Sequence, residues 1–174
     1  MRRIRKALMK RINPKKYAIK SGINFKSFYV YGRVEWGTEP WIITLGENVH
    51  ITDGVKFLTH DGGTLLFRDK IPSLDITKPI KVGDNVYFGN NSIILPGVTI
   101  GNNVIIGAGA VVTKNIPDGV VVGGVPARVI KKIDDYFEKI KNESTGLGAL
   151  KGKEKDIALR KFFECSKNTK GIYF

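Results

Sequence analysis

Two histidines, one cysteine and sixteen acidic side chains make up most of the reactive inventory of this 174-residue chain. His60 opens the run His60-Asp61-Gly62-Gly63, at the head of a stretch (residues 60–79) with paired glycines, two prolines and mixed charge. A neutral imidazole is the commonest general base near pH 7, and a long loop inside a compact domain is usually functional or disordered. His60 is therefore the candidate base; the plainer alternative is an ordinary loop residue. A base needs a partner that fixes its tautomer, and Glu39, Asp61 or a backbone carbonyl all qualify. His50, in Val49-His50-Ile51, falls at an outward position of regular structure and reads as an exposed surface residue. No Cys/His cluster has the spacing of a metal site, so no metal is expected. Cys165 has no internal disulfide partner, and a reducing cytoplasm is the expected compartment.

The formal charge of +13 calls for anionic partners: nucleic acid, anionic lipid or a phosphorylated cofactor. No helix-turn-helix or aromatic RNA-binding signature is present, and the basic residues crowd the two ends, which argues against nucleic acid. No apolar run approaches the 18 or more residues of a membrane span. The N-terminus lacks the apolar core of a secretory signal.

The elements that must position His60 are written in a six-residue beat. From Ile80 to Asn115 the chain reads IKVGDN, VYFGNN, SIILPG, VTIGNN, VIIGAG, AVVTKN. The third residue of each six is Val82, Phe88, Ile94, Ile100, Ile106 and Val112. The first is Ile80, Val86, Ser92, Val98, Val104 and Ala110, all apolar or small. Helices repeat their apolar residues every three or four positions and strands alternate; a fixed hexad marks a parallel β-helix. Each six supplies a strand and a turn, and the Gly-Asn and Asp-Asn turns suit positive φ. A weaker beat runs through residues 23–58 (Phe28/Val30, Val34/Trp36, Ile43/Leu45, Val49/Ile51, Val55/Phe57), with an offset around Thr38-Glu39-Pro40. Trp36 and Trp41 read as core or end-capping aromatics. The beat fails from His60 to Pro79, where a loop (residues 61–79) is inserted.

The expected organisation is a basic N-terminal helix or cap over residues 1–22, a β-helix over 23–132, and a helical extension over 133–174. In the first part Ile4, Leu8 and Ile12 form a narrow stripe, ended by Pro14. It reads as a cap on the solenoid, with a membrane-surface helix as the alternative. After Asn115, IPDGVVVGGVPARVIKKI continues as strand and turn. DDYFEKIKNE reads as a helix with Ile133, Phe137 and Ile140 on one face, STGLGALKGKEK as a linker, and DIALRKFFECSKN as a last short helix.

The hexads resemble the hexapeptide-repeat acyltransferases of the maltose, galactoside and xenobiotic type. The resemblance implies an all-β fold, a left-handed parallel β-helix with a protruding loop and short terminal helices. It covers about Thr44 to Lys132 and is most specific in GVTIGNNVIIGAGAVVTKNIPDGVVVGGVPARVIKK. Such enzymes place their catalytic histidine where coils give way to an extended loop, as His60 does in FLTHDGG. Gly37–Pro40 (GTEP) with HDGG looks like the branch that acetylates surface polysaccharides. The resemblance implies acetyl-CoA as donor. Ala108 would meet the pantetheine arm through its backbone, Thr113 and Lys114 the lower part of the coenzyme, and Arg128 and Lys131 its phosphates. Tyr87 stands where relatives commonly have Trp beside the acyl arm, and the Asn90 backbone N–H matches the donor to the thioester oxyanion. It implies a homotrimer with sites between subunits and a sugar acceptor. The expected function is sugar O-acetylation in capsule or other surface-polysaccharide synthesis. The alternatives are amino-sugar N-acetylation, xenobiotic acetylation, or an inert β-helix scaffold.

Overall fold

Each hexad forms one strand and one tight corner, and three hexads close one coil. The computed structural model describes residues 12–168. Its strands lie on three faces, with like positions paired one coil apart. The first face stacks Asn24–Phe25, Ile43–Leu45, Ile80–Val82 and Thr99–Ile100. The third stacks Val34–Glu35, Val55–Phe57, Ile93–Ile94 and Val111–Val112. The second stacks Phe28–Val30, Val49–Ile51, Val86–Phe88, Val104–Ile106, Val120–Gly123 and Arg128–Lys132. All these pairings are parallel except the last, in which Arg128–Lys132 runs antiparallel to Val120–Gly123. The expected parallel β-helix is thus present and is closed by a hairpin.

The core is the column of first and third hexad residues. Ile80, Val86, Val98, Val104 and Ala110 are buried, as are Val82, Phe88, Ile94, Ile100, Ile106 and Val112. The weaker early beat behaves in the same way from Phe28 to Phe57, with only Val30 partly exposed. Larger side chains fill the early coils: Trp36 stacks on Phe57 with ring centres 5.2 Å apart, and Phe28 and Phe88 pack edge-on at either side. Burying an aromatic of this size stabilises by about 1.5–3 kcal/mol. Helix α1 (Pro14–Lys20) covers this end with buried Tyr17 and Ala18, and Trp36 Nε1 donates to the Pro14 carbonyl (3.2 Å). Ile12 is helical and Asn13 is not, so helix stops before Pro14 as the sequence suggested, and Pro14 also begins a new one. Proline's missing N–H is not needed in a first turn, and the Asn13 side chain accepts from the Lys16 N–H as cap.

The corners hold the coils in register. Asn48, Asn85, Asn91 and Asn103 all have φ between 54° and 59°, the left-handed conformation that Asn tolerates better than most residues. Three of them form a ladder: Asn48 Nδ2 donates to Asn85 Oδ1 (3.0 Å), and Asn85 Nδ2 to Asn103 Oδ1 (3.2 Å). Beside it, Asp84, Asn102 and Asp118 each accept a backbone N–H from the coil below, at 2.7–2.8 Å. At Gly83 a Cβ would stand 2.7 Å from the Gly101 carbonyl oxygen, so the approach of adjacent coils requires glycine there.

Three features depart from the sequence reading. Trp41 is 57% exposed, not core, because the short 3₁₀ turn Pro40–Ile42 at the offset corner turns it outward. The loop after His60 contains a further 3₁₀ turn, Gly62–Phe67. The last helix spans Gly152–Asn168 and so takes in residues read as linker. The chain divides into two units after Tyr136. Helix α2 (Ile133–Asn142) crosses that boundary, with Phe137 and Ile140 exposed. Within the second unit, helix α3 (Gly152–Asn168) carries an Arg160–Asp156 ion pair at 3.0 Å. Among the described residues no helix is long and apolar enough to cross a membrane. The basic stretch with Ile4 and Leu8 lies outside the described residues.

Ser92 is the polar member of the inward column, and its hydroxyl is buried without a hydrogen-bond partner. An unsatisfied buried group costs about 1–3 kcal/mol, set against the small void left by its removal. Ser92→Ala is expected to leave stability unchanged or raise it by up to about 1 kcal/mol in denaturant titration. A loss above that would show that the hydroxyl is paired.

Candidate active site

His60 follows the third-face strand Val55–Phe57 and stands where the next coil is delayed to Ile80. The loop is pinched at its base. His60 bridges to Thr77, the Asp61 N–H donates to the Ile76 carbonyl (2.9 Å), and the Lys78 N–H to the Thr59 carbonyl (2.9 Å). These bonds fix the backbone of His60 while nineteen residues of loop and return strand project beyond it. The side chain stays 44% exposed. It borders a cleft of about 400 Å³ with Leu58, Ile76, Leu95 and Pro96 as apolar wall and Lys78 and Thr113 at the edge.

The ring makes its polar contacts through Nδ1. Thr38 Oγ1 lies 3.0 Å away and Glu39 Oε2 3.4 Å away. Both belong to the offset corner of the preceding coil. Gly37 has φ 68°, and a Cβ there would stand 2.5 Å from Thr59 Oγ1; glycine is what lets this corner close over Thr59. Thr59 is fully buried and donates to Glu39 Oε2 at 2.6 Å. Of the three candidate partners for His60, Glu39 is the one in place. Asp61 is spent on the loop, where its side chain accepts from the Gly63 N–H and caps Gly62–Phe67. Partial burial pushes the Glu39 carboxyl up, but hydrogen bonds from Thr38 and Thr59 and the charge of nearby His60 outweigh it. The group settles below its ordinary value of 4.5.

The other sequence-derived residues lie elsewhere. Tyr87 is 44% exposed on the second face, in register with His50 and Ile105. Asn90 and Ala108 sit one above the other at the corner between second and third faces, where Gly109 N–H donates to the Asn90 carbonyl (2.8 Å). Both are exposed, and neither of their own N–H groups is bonded among the described residues. Arg128 and Lys131 share the closing strand. Arg128 Nη1 donates to the Ala127 carbonyl (3.0 Å), and neither side chain is ion-paired among the described residues. Thr113 borders the His60 cleft and exposed Lys114 follows it. Within one chain, then, only Thr113 joins His60; Tyr87, Asn90, Ala108, Arg128 and Lys131 do not line its cleft.

His50 is outward but only half-buried, not free. It stacks on Tyr29 and Tyr31 at 4.8 and 5.8 Å between centres, with Nδ1 2.8 Å from the Tyr31 hydroxyl and Nε2 2.9 Å from Asn48 Oδ1. The sequence reading also missed Thr38 and Thr59. The usable signal was the break in the beat at Thr38–Pro40, which inserts residues at the corner below His60.

A parallel β-helix of hexads with a histidine at the mouth of a corner loop defines a class of transferase. Residues 79–114 match the family model described as bacterial transferase hexapeptide (six repeats). Protein CapG of Staphylococcus aureus is 51% identical over 137 residues, covering 79% of this chain and 80% of that protein. A maltose O-acetyltransferase from Clostridium difficile 630 matches in structure with TM-score 0.54 and 31% identity, over 68% of this chain and 73% of that one. A galactoside acetyltransferase solved in complex with coenzyme A matches with TM-score 0.52 and 26% identity, over 78% and 82%. The chain spans about half the length of several further relatives that carry acetyltransferase names. The chain belongs to the hexapeptide-repeat transferase family, and it is an acyltransferase.

A carboxyl whose pKa is depressed by folding contributes stability above its unfolded value, and that contribution is lost as pH falls through the folded value. Glu39 is such a group. The stability gap between the native protein and Glu39→Gln is therefore expected to be widest at neutral pH and to narrow below about pH 4.5. Melting temperatures taken from pH 7 down to pH 3 check this; a gap constant with pH would mean that the carboxylate charge contributes nothing.

Proposed function

We propose that this protein is an acetyl-CoA-dependent O-acetyltransferase that acetylates a sugar hydroxyl in the synthesis of a capsule or other surface polysaccharide. The carrying observation is His60: its Nδ1 is engaged by Thr38 and Glu39, its Nε2 has no partner among the described residues, and an apolar cleft lies beside it. The named activities of the maltose and galactoside enzymes support sugar as acceptor and acetyl as the group moved. The GTEP and HDGG runs support the polysaccharide assignment.

A sugar hydroxyl does not ionise unaided at neutral pH. In this reading His60 Nε2 removes its proton as the oxygen attacks the thioester carbonyl carbon. Negative charge moves to the carbonyl oxygen, where the free Asn90 N–H stabilises it. The tetrahedral adduct collapses with cleavage of the C–S bond, and the imidazolium returns its proton to the departing thiolate. The products are the acetyl ester and coenzyme A, with His60 restored. The unengaged N–H of Ala108 suits the pantetheine amides, Tyr87 the acyl end, and Thr113 and Lys114 the lower arm. Arg128 and Lys131, with no acidic partner among the described residues, suit the phosphates, the first as a two-pronged donor and the second as a point charge. The coenzyme is a cytoplasmic metabolite, which fits a chain with a single cysteine.

The donor-side residues and His60 occupy different faces of one chain. Two copies side by side would bring the His60 edge of one against the second face of the next, and three copies would close the ring. We take the working form to be a homotrimer with three shared sites.

His60→Ala is expected to lower kcat by about 10²–10⁴-fold, with coenzyme A affinity unchanged by calorimetry; retention of most activity would remove His60 as base. Sharing of sites gives a separate test. His60→Ala and the double variant Arg128→Ala/Lys131→Ala should each be impaired alone. Unfolded and refolded together, they should regain activity, because some mixed trimers hold an intact His60 opposite an intact coenzyme groove. No recovery, in a mixture shown by mass to contain mixed trimers, would place each site within one subunit.

A further inference from the structure

The proton positions around His60 can be assigned from its neighbours alone. Glu39, ionised above its depressed pKa, only accepts hydrogen bonds. Thr59 donates to its Oε2 at 2.6 Å. The same Oε2 lies 3.4 Å from His60 Nδ1 and can only accept there. Thr38 Oγ1, 3.0 Å from Nδ1, can accept from the same ring N–H. A carboxylate beside Nδ1 therefore calls for hydrogen on that nitrogen, and Thr38 is placed to share it. We propose that Thr38 and Glu39 are positioning residues that hold His60 as the Nδ1–H tautomer and leave the lone pair on Nε2.

The chain contains its own control. Asn48 commits Nδ2 to the ladder and has only Oδ1 left for His50 Nε2. His50 must then carry its proton on Nε2 and accept from the Tyr31 hydroxyl at Nδ1. The two histidines are thus opposite tautomers, set by two corners of the same β-helix. During turnover Thr38 keeps its proton, and no proton reaches Glu39. When His60 gains a second proton at Nε2, the carboxylate nearby stabilises the cation. Other charged groups at the cleft are Asp61, whose carboxylate accepts from Gly63, and Lys78. The tautomer assignment stands on geometry; its catalytic meaning rests on the acetyl-transfer reading.

The test is two-dimensional nitrogen–proton NMR of protein labelled with ¹⁵N-histidine, at about pH 8.5, well above the ordinary imidazole pKa near 6.5. His50→Asn removes one set of signals and so assigns the other. His60 is expected to show protonated Nδ1 and His50 protonated Nε2. Thr38→Val, which keeps the shape and loses the hydroxyl, should shift His60 toward the Nε2–H form and leave His50 as it was. A native His60 protonated on Nε2, or one whose tautomer is the same in Thr38→Val and Glu39→Gln, overturns the assignment. These spectra need no substrate, so they decide it even if no sugar is acetylated. With a sugar that turns over, Thr38→Val should lower kcat at least about tenfold, within the range a positioned base supplies, with KM for acetyl-CoA unchanged. A shifted tautomer with undiminished kcat overturns the positioning role.

Discussion

The structure depends on how closely its coils approach at the corners. At Gly83 and Gly101 there is no room for a Cβ against the coil above, and at Asn48, Asn85 and Asn103 the backbone must turn through positive φ. Those two requirements give the stacked turns equal length wherever the beat is regular, outside the offset corner at Thr38–Pro40 and the loop after His60. Equal length puts like residues in columns, and columns let short strands of two to five residues, each marginal alone, share one continuous core. The polar ladder of Asn48, Asn85 and Asn103 adds register at the surface. A slip of one residue would send the inward column outward along that strand.

Column geometry also determines where chemistry can be placed. An outward residue sees its equivalents above and below: Tyr29, His50 and Tyr87 form one such row, and the cleft residues Leu58 and Leu95 follow the stacked inward pair Phe57 and Ile94. Residues on different faces are kept apart by the core between them. The separation of His60 from Tyr87 and Asn90 thus follows from the fold.

The legible and illegible parts of the sequence divide along the same line. Wherever the beat was regular, burial could be read residue by residue, from Phe28 to Phe57 and again from Ile80 to Val112. Where it broke, composition was a poor guide. Trp41 is large and apolar yet lies on an outward turn, because the offset corner sets its direction. The antiparallel return of Arg128–Lys132 has the same Val- and Ile-rich character as the parallel strands, and strand direction leaves no mark in a short apolar run. The position of His60 at the break was legible. Of its neighbours, Glu39 was named as one of three candidates, but Thr38 and Thr59 were not, since they meet His60 and Glu39 only when two coils stack, twenty-odd residues apart in sequence. The second surprise, His50 held between Tyr29 and Tyr31, has the same origin.

The corner loop leaves the frame undisturbed. Ile80 pairs with Ile43 as though nothing had been inserted, because the excursion leaves and re-enters at adjacent points, tied by His60, Thr77 and Lys78. The entropic cost of closing such a loop grows only slowly, by about 0.6 kcal/mol for each doubling of length. Its length and sequence are therefore nearly free variables, while His60 at its root stays where the coils put it. A lineage built on this frame can rewrite one wall of the cleft by insertion, deletion or exchange of one surface segment, and keep the contacts of His60 with Thr38 and Glu39 intact through every change.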